Sequence, residues 1–451
     1  TVTNIMYVGT RGGGLNMYDV KSKSYLGHEK TRKDEYSISG NDVLSILKDN
    51  SGVIWIGTET ADLNKYNTTR KKFNLIHPSQ LHNMPISSDN VFSIYEDDSE
   101  GLWIGTRGGG LTYFNKKTAE SKTFQSKMGD EHTMNNITSL VKDPRGFFWI
   151  GTDGNGFFKF NPKNGQFKHY VYNDEVENSL SNDAVTAMYL DDKFQLWIGT
   201  WGGGLNKFVP ETNTFTRYPI DSTNFMRNVV WCIYRDNSGF IWVGTGGHGL
   251  MKLDHITEEV TFYKKERHNV NSLTHEVVYS VLELTNGTFW VGTGGAGLNK
   301  FNRVNAFESY TQQSHGITND MVLGMLEDNN GNLWLSTYYG LSKFNPKTEQ
   351  FTNFNELDGL QGNSFNERSC FKGNDGTLYF GGQKGLTYFI PDSIVENSYT
   401  APVVITDLKI FNNSVRVNEE ILGKVILKQN ISHTQEITLS HKHNFSIEFA
   451  T

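Results

Sequence analysis

The sequence predicts an all-β fold: a β-propeller of four-stranded blades followed by part of a β-sandwich. Three observations lead there. A four-residue anchor, W-I-G-T or a close variant, starts at Tyr7, Trp55, Trp103, Trp149, Trp197, Trp242, Trp290, Trp334 and Tyr379, at intervals of 44 to 48 residues. That period suits one propeller blade, whereas helical repeats of this length need 3.6-residue periodicity that the sequence lacks. Of 451 residues, 13% are aromatic and 45 are glycine against 9 prolines, which argues against a disordered or collagen-like chain. Third, the residues before each anchor follow a fixed small-and-apolar pattern.

Each unit reads as strands A to D. Strand A lies about twelve residues before the anchor. Val43, Val91, Ile137, Val185, Val230, Val278 and Val322 stand twelve ahead, and Ser45, Ser93, Ser139, Ala187, Cys232, Ser280, Gly324 and Ser369 stand ten ahead. Both faces of A are small or apolar, which predicts an inner strand buried between neighbours, its small slot leaving room for a side chain from next door. Turns such as Asp49–Gly52, Asp143–Gly146 and Asp236–Gly239 lead to strand B, because Asp starts a turn and Gly takes positive φ. Strand B carries the tryptophan. A T-x-G-G-G-L turn follows, then strand C (Leu205–Phe208, Leu298–Phe301), a loop such as Asn345–Gln350, and strand D (Phe351–Phe354).

Nine units exceed the usual four to eight blades of one ring. The last is atypical, with Leu360–Phe365 before it, Y-F-G-G as its anchor and Pro391 after its strand C. Counting back seven blades from there gives residues 88–399 as a seven-bladed ring. Residues 1–87 become two blade units at the end of a preceding ring; a single eight- or nine-bladed ring is the alternative. A half ring would leave apolar blade faces exposed unless they pack on something. Residues 400–451 lack the anchor and read as strands at 402–411, 424–428, 436–440 and 444–449, the first half of a sandwich. The sequence begins inside a repeat, so it reads as a segment of something longer.

The pattern V-x-S-I-x-x-D-x-x-G-x-x-W-I-G-T-x-G-G-G-L resembles the two-component regulator propeller repeat. The stretch from Ala401, with P-V-V-I-T-D-L-K-I-F-N-N-S and E-I-T-L-S-H-K-H-N-F-S-I-E-F-A-T, resembles the first half of the triple-tyrosine (Y_Y_Y) domain that follows such propellers. The resemblance implies the periplasmic sensor region of a Bacteroidetes hybrid two-component system. In that family two seven-bladed rings precede the sandwich, and a membrane helix, histidine kinase, receiver and DNA-binding domain come after. It implies an oligosaccharide ligand, a homodimer and a membrane-anchored parent that controls glycan-utilisation genes. For this chain it implies no catalysis, no cofactor and no nucleic-acid contact.

A ligand site belongs on loops held by the rigid scaffold. The strand order puts the D–A and B–C loops on one face. Just after each anchor threonine the residue varies while its frame stays fixed: Arg11, Glu59, Arg107, Asp153, Trp201, Gly246, Gly294, Tyr338, and Gln383 in the last unit. The candidate ligand-binding residues are therefore Arg107, Asp153, Trp201, His248, Tyr338 and Tyr339, with Arg227 from a D–A loop beside Met226 and Asn228. Trp201 suits stacking on a sugar ring. Arg107 suits a bidentate pair with a carboxylate or sulfate.

Other readings are weaker. Net charge is −7, which does not favour nucleic acid or an anionic membrane. The G-G-G runs precede strands, not the helix a phosphate cradle needs. Asp97–Gly101 lacks the ligand spacing of a calcium loop. His441 and His443 do not complete a metal shell. Cys232 and Cys370 read as separate buried thiols, since three blades part them. No run of 18 apolar residues occurs, and no stretch reads as a signal peptide. Two other function classes stay open on the residues alone. An enzyme would use carboxylates such as Glu59, Asp153 or Asp183, although no pair stands out from the repeat; the other class is a protein-interaction platform.

Overall fold

The structure is a computed structural model describing residues 5–30, 37–49, 51–59, 63–67, 73–77, 86–98, 101–118, 120–125, 133–176, 178–221, 223–394, 403–421, 423–441 and 443–450. Ser99 and Glu100 of the Asp97–Gly101 turn lie outside them. The chain divides into two units: 70–395, and 1–69 with 396–451.

The larger unit is a closed ring of seven four-stranded antiparallel sheets. Blades one to six span 91–124, 137–170, 185–218, 230–263, 278–310 and 322–354; strands A to C of blade seven are Phe365–Lys372, Leu378–Gly382 and Gly385–Phe389. The A strands pack side by side around the axis, blade seven against blade one. In each A–B pair the register slips near the axis, as between Val91 and Ser93, Val185 and Ala187, and Val230 and Cys232. These bulges leave one unpaired residue in each of blades one to six.

The repeat pattern is a pattern of blade-to-blade contacts. The anchor glycine of one blade receives the β-branched residue that starts strand A of the next. A Cβ on Gly199 would strike Val230, one on Gly244 would strike Val278, and one on Gly381 would strike Val91. The anchor aromatic rests on the next blade too: Trp103 on Phe148, Trp242 on Phe289, Trp290 on Phe344 and Trp334 on Phe389. Each blade's inner surface is thus completed by its neighbour at close packing.

The Asp of the A–B turn has a second task. Asp236 Oδ1 accepts turn N–H groups from Ser238 and Phe240, while Oδ2 accepts the Trp242 indole N–H at 2.8 Å. Asp49, Asp97, Asp191 and Asp328 hold Trp55, Trp103, Trp197 and Trp334 the same way, at 2.8–3.0 Å. Two of the ring's tryptophans depart from this. Leu284 replaces the Asp ahead of Trp290, and Asp143 turns its outer oxygen to Arg145, so the buried indole nitrogens of Trp290 and Trp149 have no partner.

Ring closure alters the boundary read at 87/88. Strand Asn74–Ile76 pairs with strand C of blade seven, Leu386 opposite Ile76, and is that blade's strand D. In sequence it sits where strand D of the preceding unit belongs. It goes instead to the last blade, where Phe73 packs on Phe354 and Phe389 at 5.3 and 4.8 Å. The ring therefore begins before residue 88 and is closed by both ends of its own segment.

In the other unit, two three-stranded sheets are seen: Ile5–Gly9, Leu15–Asp19 and Ser24–His28, then Val43–Lys48, Val53–Thr58 and Leu63–Asn67. The tail forms a three-stranded sheet from Val404–Ile410, Asn413–Ser414 and Phe445–Ala450, and a small ladder of Glu420–Ile421 with Lys424–Val425. Its core is Leu408, Ile410, Val415, Leu427 and Ile431. The strand expected at 436–440 does not form. Ile437 and Leu439 still pack on that core, so strand-like alternation survives without a partner strand to bond with.

Candidate functional site

The bulged residues of the A strands line the channel. Phe92, Thr138, Thr186 and Trp231 hold equivalent places in blades one to four and wall a cavity of about 340 Å³. Arg107, Asp153, Trp201 and Gln383 from the B–C turns and Asn90 from a D–A loop form its rim, and Asn366, Glu367 and Arg368 of blade seven complete the wall. The cavity opens on the face predicted to carry the site.

Three of the candidate residues meet here. Arg107 Nη2 lies 2.5 Å from Asp153 Oδ2, and its guanidinium sits 5.0 Å from the Phe92 ring. Its fork is thus already engaged by a neighbouring blade. Trp201 stands edge-on to Trp231, centroids 5.1 Å apart at 89°, and Trp231 continues to Tyr279 at 5.0 Å. Burial, then the charge of Glu367, raises the Tyr279 hydroxyl pKa, so this aromatic row is neutral at physiological pH.

The other candidates lie apart from the cavity lining. Arg227 and His248 converge on Asp221, whose Oδ2 is 3.5 Å from the guanidinium and 3.8 Å from the imidazole. Hydrogen bonds from Thr223, then the Arg227 interactions, hold the Asp221 carboxyl down at about 2. Partial burial, then Lys264, pushes the His248 imidazole below its ordinary value, so it is neutral at pH 7. Tyr338 and Tyr339 are more than half exposed on blade six.

The rim glycines have a steric reason. A Cβ on Gly246 would strike the Met226 carbonyl and Val229 and then crowd the Trp231 indole, and one on Gly294 would crowd Val277 and Tyr279. Where the bulged residue is a threonine, as in blades two and three, the rim carries Asp153 or Trp201.

Sequence reasoning missed Trp231 and Arg368. The signal was available: eleven residues before the anchor the chain reads Phe92, Thr138, Thr186, Trp231, Tyr279, Leu323 and Arg368, as varied as the rim. Arg368 is the exceptional member. In blade seven the register slips between Phe365 and Cys370, so four residues bulge where other blades bulge one. Asn366 Nδ2 anchors the bulge to Asn90 Oδ1 at 2.8 Å and to the Val91 carbonyl at 2.7 Å. Arg368 has φ 55, and its Nη2 donates across the channel to the Thr186 carbonyl.

With this geometry in hand, comparison with known proteins is informative. Five segments, 37–60, 85–108, 133–154, 224–247 and 316–339, match the two-component regulator propeller family. Those five segments are similar to that repeat, and the ring that the last four contribute to is a β-propeller. Over 145 residues it is 34% identical to histidine kinase P4 of Formosa agariphila, covering 32% of this chain and 10% of that protein. Two extracellular domains of two-component systems from B. thetaiotaomicron share the architecture. One superposes with a TM-score of 0.75 at 23% identity, covering 99% of this chain and 57% of the other. The second gives 0.59 at 23%, covering 99% and 59%. These likenesses establish the fold, and the chain spans little more than half of either relative's length. Among the described residues, no helix is long and apolar enough to cross a membrane.

Proposed function

We propose that this chain is the extracytoplasmic ligand-sensing region of a membrane-anchored, homodimeric two-component sensor. It binds an oligosaccharide and passes the signal to a histidine kinase that controls glycan-utilisation genes. The observation that carries this reading is the cavity at the ring axis with Trp201 and Trp231 at right angles at its mouth. An indole face stacks on the apolar face of a sugar ring, and the neighbouring Arg107–Asp153 pair offers donors and acceptors to hydroxyls. The repeat family and the two-component relatives support the signalling part. Asp153 is neutralised by Arg107, which suits binding better than acid–base work. Ligand drives the switch only through unequal affinity for two arrangements of the receptor.

A calorimetric screen against a library of neutral and acidic oligosaccharides tests it. Saturable heat without product supports a receptor; turnover points to an enzyme. Trp201→Ala is expected to weaken the best ligand about tenfold, a loss near 1.4 kcal/mol, with an unchanged melting temperature. An unaltered titration would place the site elsewhere.

A further inference from the structure

We infer that Arg368 is an anion receptor within this cavity, so that the glycan recognised carries a negatively charged substituent, a carboxylate or a sulfate ester. The inference rests on the sensing function proposed above and narrows its ligand class.

The argument starts from the backbone. Other non-glycine residues of the ring at positive φ, such as Phe194, Asn213, Glu258, Arg303 and Glu349, sit in turns between strands. Arg368 sits inside strand Phe365–Lys372, at φ 55. A left-handed arginine within a strand is strained and persists only where its surroundings hold it. Here the Asn366 bonds to Asn90 and Val91, and the Ser369 hydroxyl bond to the Val91 carbonyl at 2.9 Å, hold it from both sides. The result is a guanidinium delivered to the cavity wall.

That guanidinium is short of partners. Among the described residues its one hydrogen bond goes to a neutral acceptor, the Thr186 carbonyl. Its Nε is buried and unpartnered. Among the described residues no carboxylate lies within the 4.0 Å of an ion pair: Asp153 is taken by Arg107, and Glu367, on the same bulge, acts on the guanidinium only from beyond that distance. A desolvated cation with unused donors is costly, and an anion accepting its planar fork relieves that cost. Arg107 is a poorer candidate because Asp153 already compensates its charge through one Nη2–Oδ2 contact. Glu367 then remains to accept hydroxyl protons of the sugar that carries the anion.

Trp201 and Trp231 line the same cavity and report on it by fluorescence. The test titrates the 451-residue chain with sodium glucuronate, with inorganic sulfate and, as neutral control, with glucose. Saturable change is expected with glucuronate or sulfate and none with glucose, and the responding arm tells which anion is recognised. Arg368→Gln should weaken that response about 10- to 100-fold, and Arg368→Lys, which keeps the charge but loses the fork, should fall between. An undiminished response in Arg368→Gln, or no response of the unaltered chain to either anion, overturns the inference. If Arg368→Gln does not fold, Arg368→Lys and the anion-against-glucose contrast in the unaltered chain decide it. Saturable binding of a neutral glycan in the library screen, together with failure here, would leave the sensing proposal standing and remove only the anion.

Discussion

Leu205 and Leu63 hold the same place in their blades, at the head of strand C. Leu205 is fully buried, while Leu63 is 64% exposed. Leu15, one unit before Leu63, is again buried, at 1%. Leu205 packs against Val230, Ile241 and Val243 of blade four, and Leu15 against Ile54 and Ile56. The anchor glycines repeat the contrast. A Cβ on Gly9 would meet Val43 and one on Gly199 would meet Val230, but among the described residues one on Gly57 would meet only its own blade's Ser45. Leu44 and Leu47 are exposed as well. A blade of this repeat is half a core, finished by its successor, and sequence similarity between repeats does not make them energetically equal.

The largest expected effect sharpens that contrast directly. Leu205→Ala should destabilise the ring by about 2–5 kcal/mol, whereas Leu63→Ala should stay within about 0.5 kcal/mol, as for surface sites. Denaturant unfolding followed by hydrogen exchange in each region measures both; equal losses would break the comparison. Next comes the glycine slot: Gly199→Ala forces Val230 aside and should cost about 1–3 kcal/mol, more than Gly57→Ala, where the Ser45 hydroxyl can rotate away. A smaller effect compares two blades inside the ring. Trp242→Phe removes an indole N–H bonded to Asp236, and Trp290→Phe removes one with no partner, so the first should cost about 1 kcal/mol more.

The smallest effect concerns the thiols. Burial pushes Cys232 and Cys370 from the ordinary 9.0 up to about 11 and about 12. The folded ring holds these protons more tightly than the unfolded chain. Their contribution is therefore complete below pH 9.0 and is lost as pH rises toward about 11 and 12. Cys232 is buried and Cys370 half-buried. At pH 8 Cys232 should not react with a disulfide reagent until the ring opens, so its labelling should follow unfolding, with Cys370 the faster of the two; fast labelling of Cys232 in the native ring would contradict it.

Much of the blade was legible because its signals are local or pass between consecutive units. The Asp-Gly turns, the tryptophan and the small slot lie within one period, and each earns its place through the next period. The rim of the site was half legible. Arg107, Asp153 and Trp201 varied visibly on a fixed frame, but Gly246 and Gly294 read as mere variation until Trp231 and Tyr279 were seen beside them. At 436–440 the apolar alternation was real, but among the described residues no strand pairs with it.

By itself the sequence determined that the chain is a train of four-stranded blades with their inner strands buried, since every contact needed for that repeats about every 46 residues. Tertiary structure alone decided that Asn74–Ile76 leaves its own unit to close blade seven, and that Arg368 crosses the channel toward Thr186. Both join residues far apart in the chain, where no periodic pattern specifies a partner and only closure of the ring brings them together.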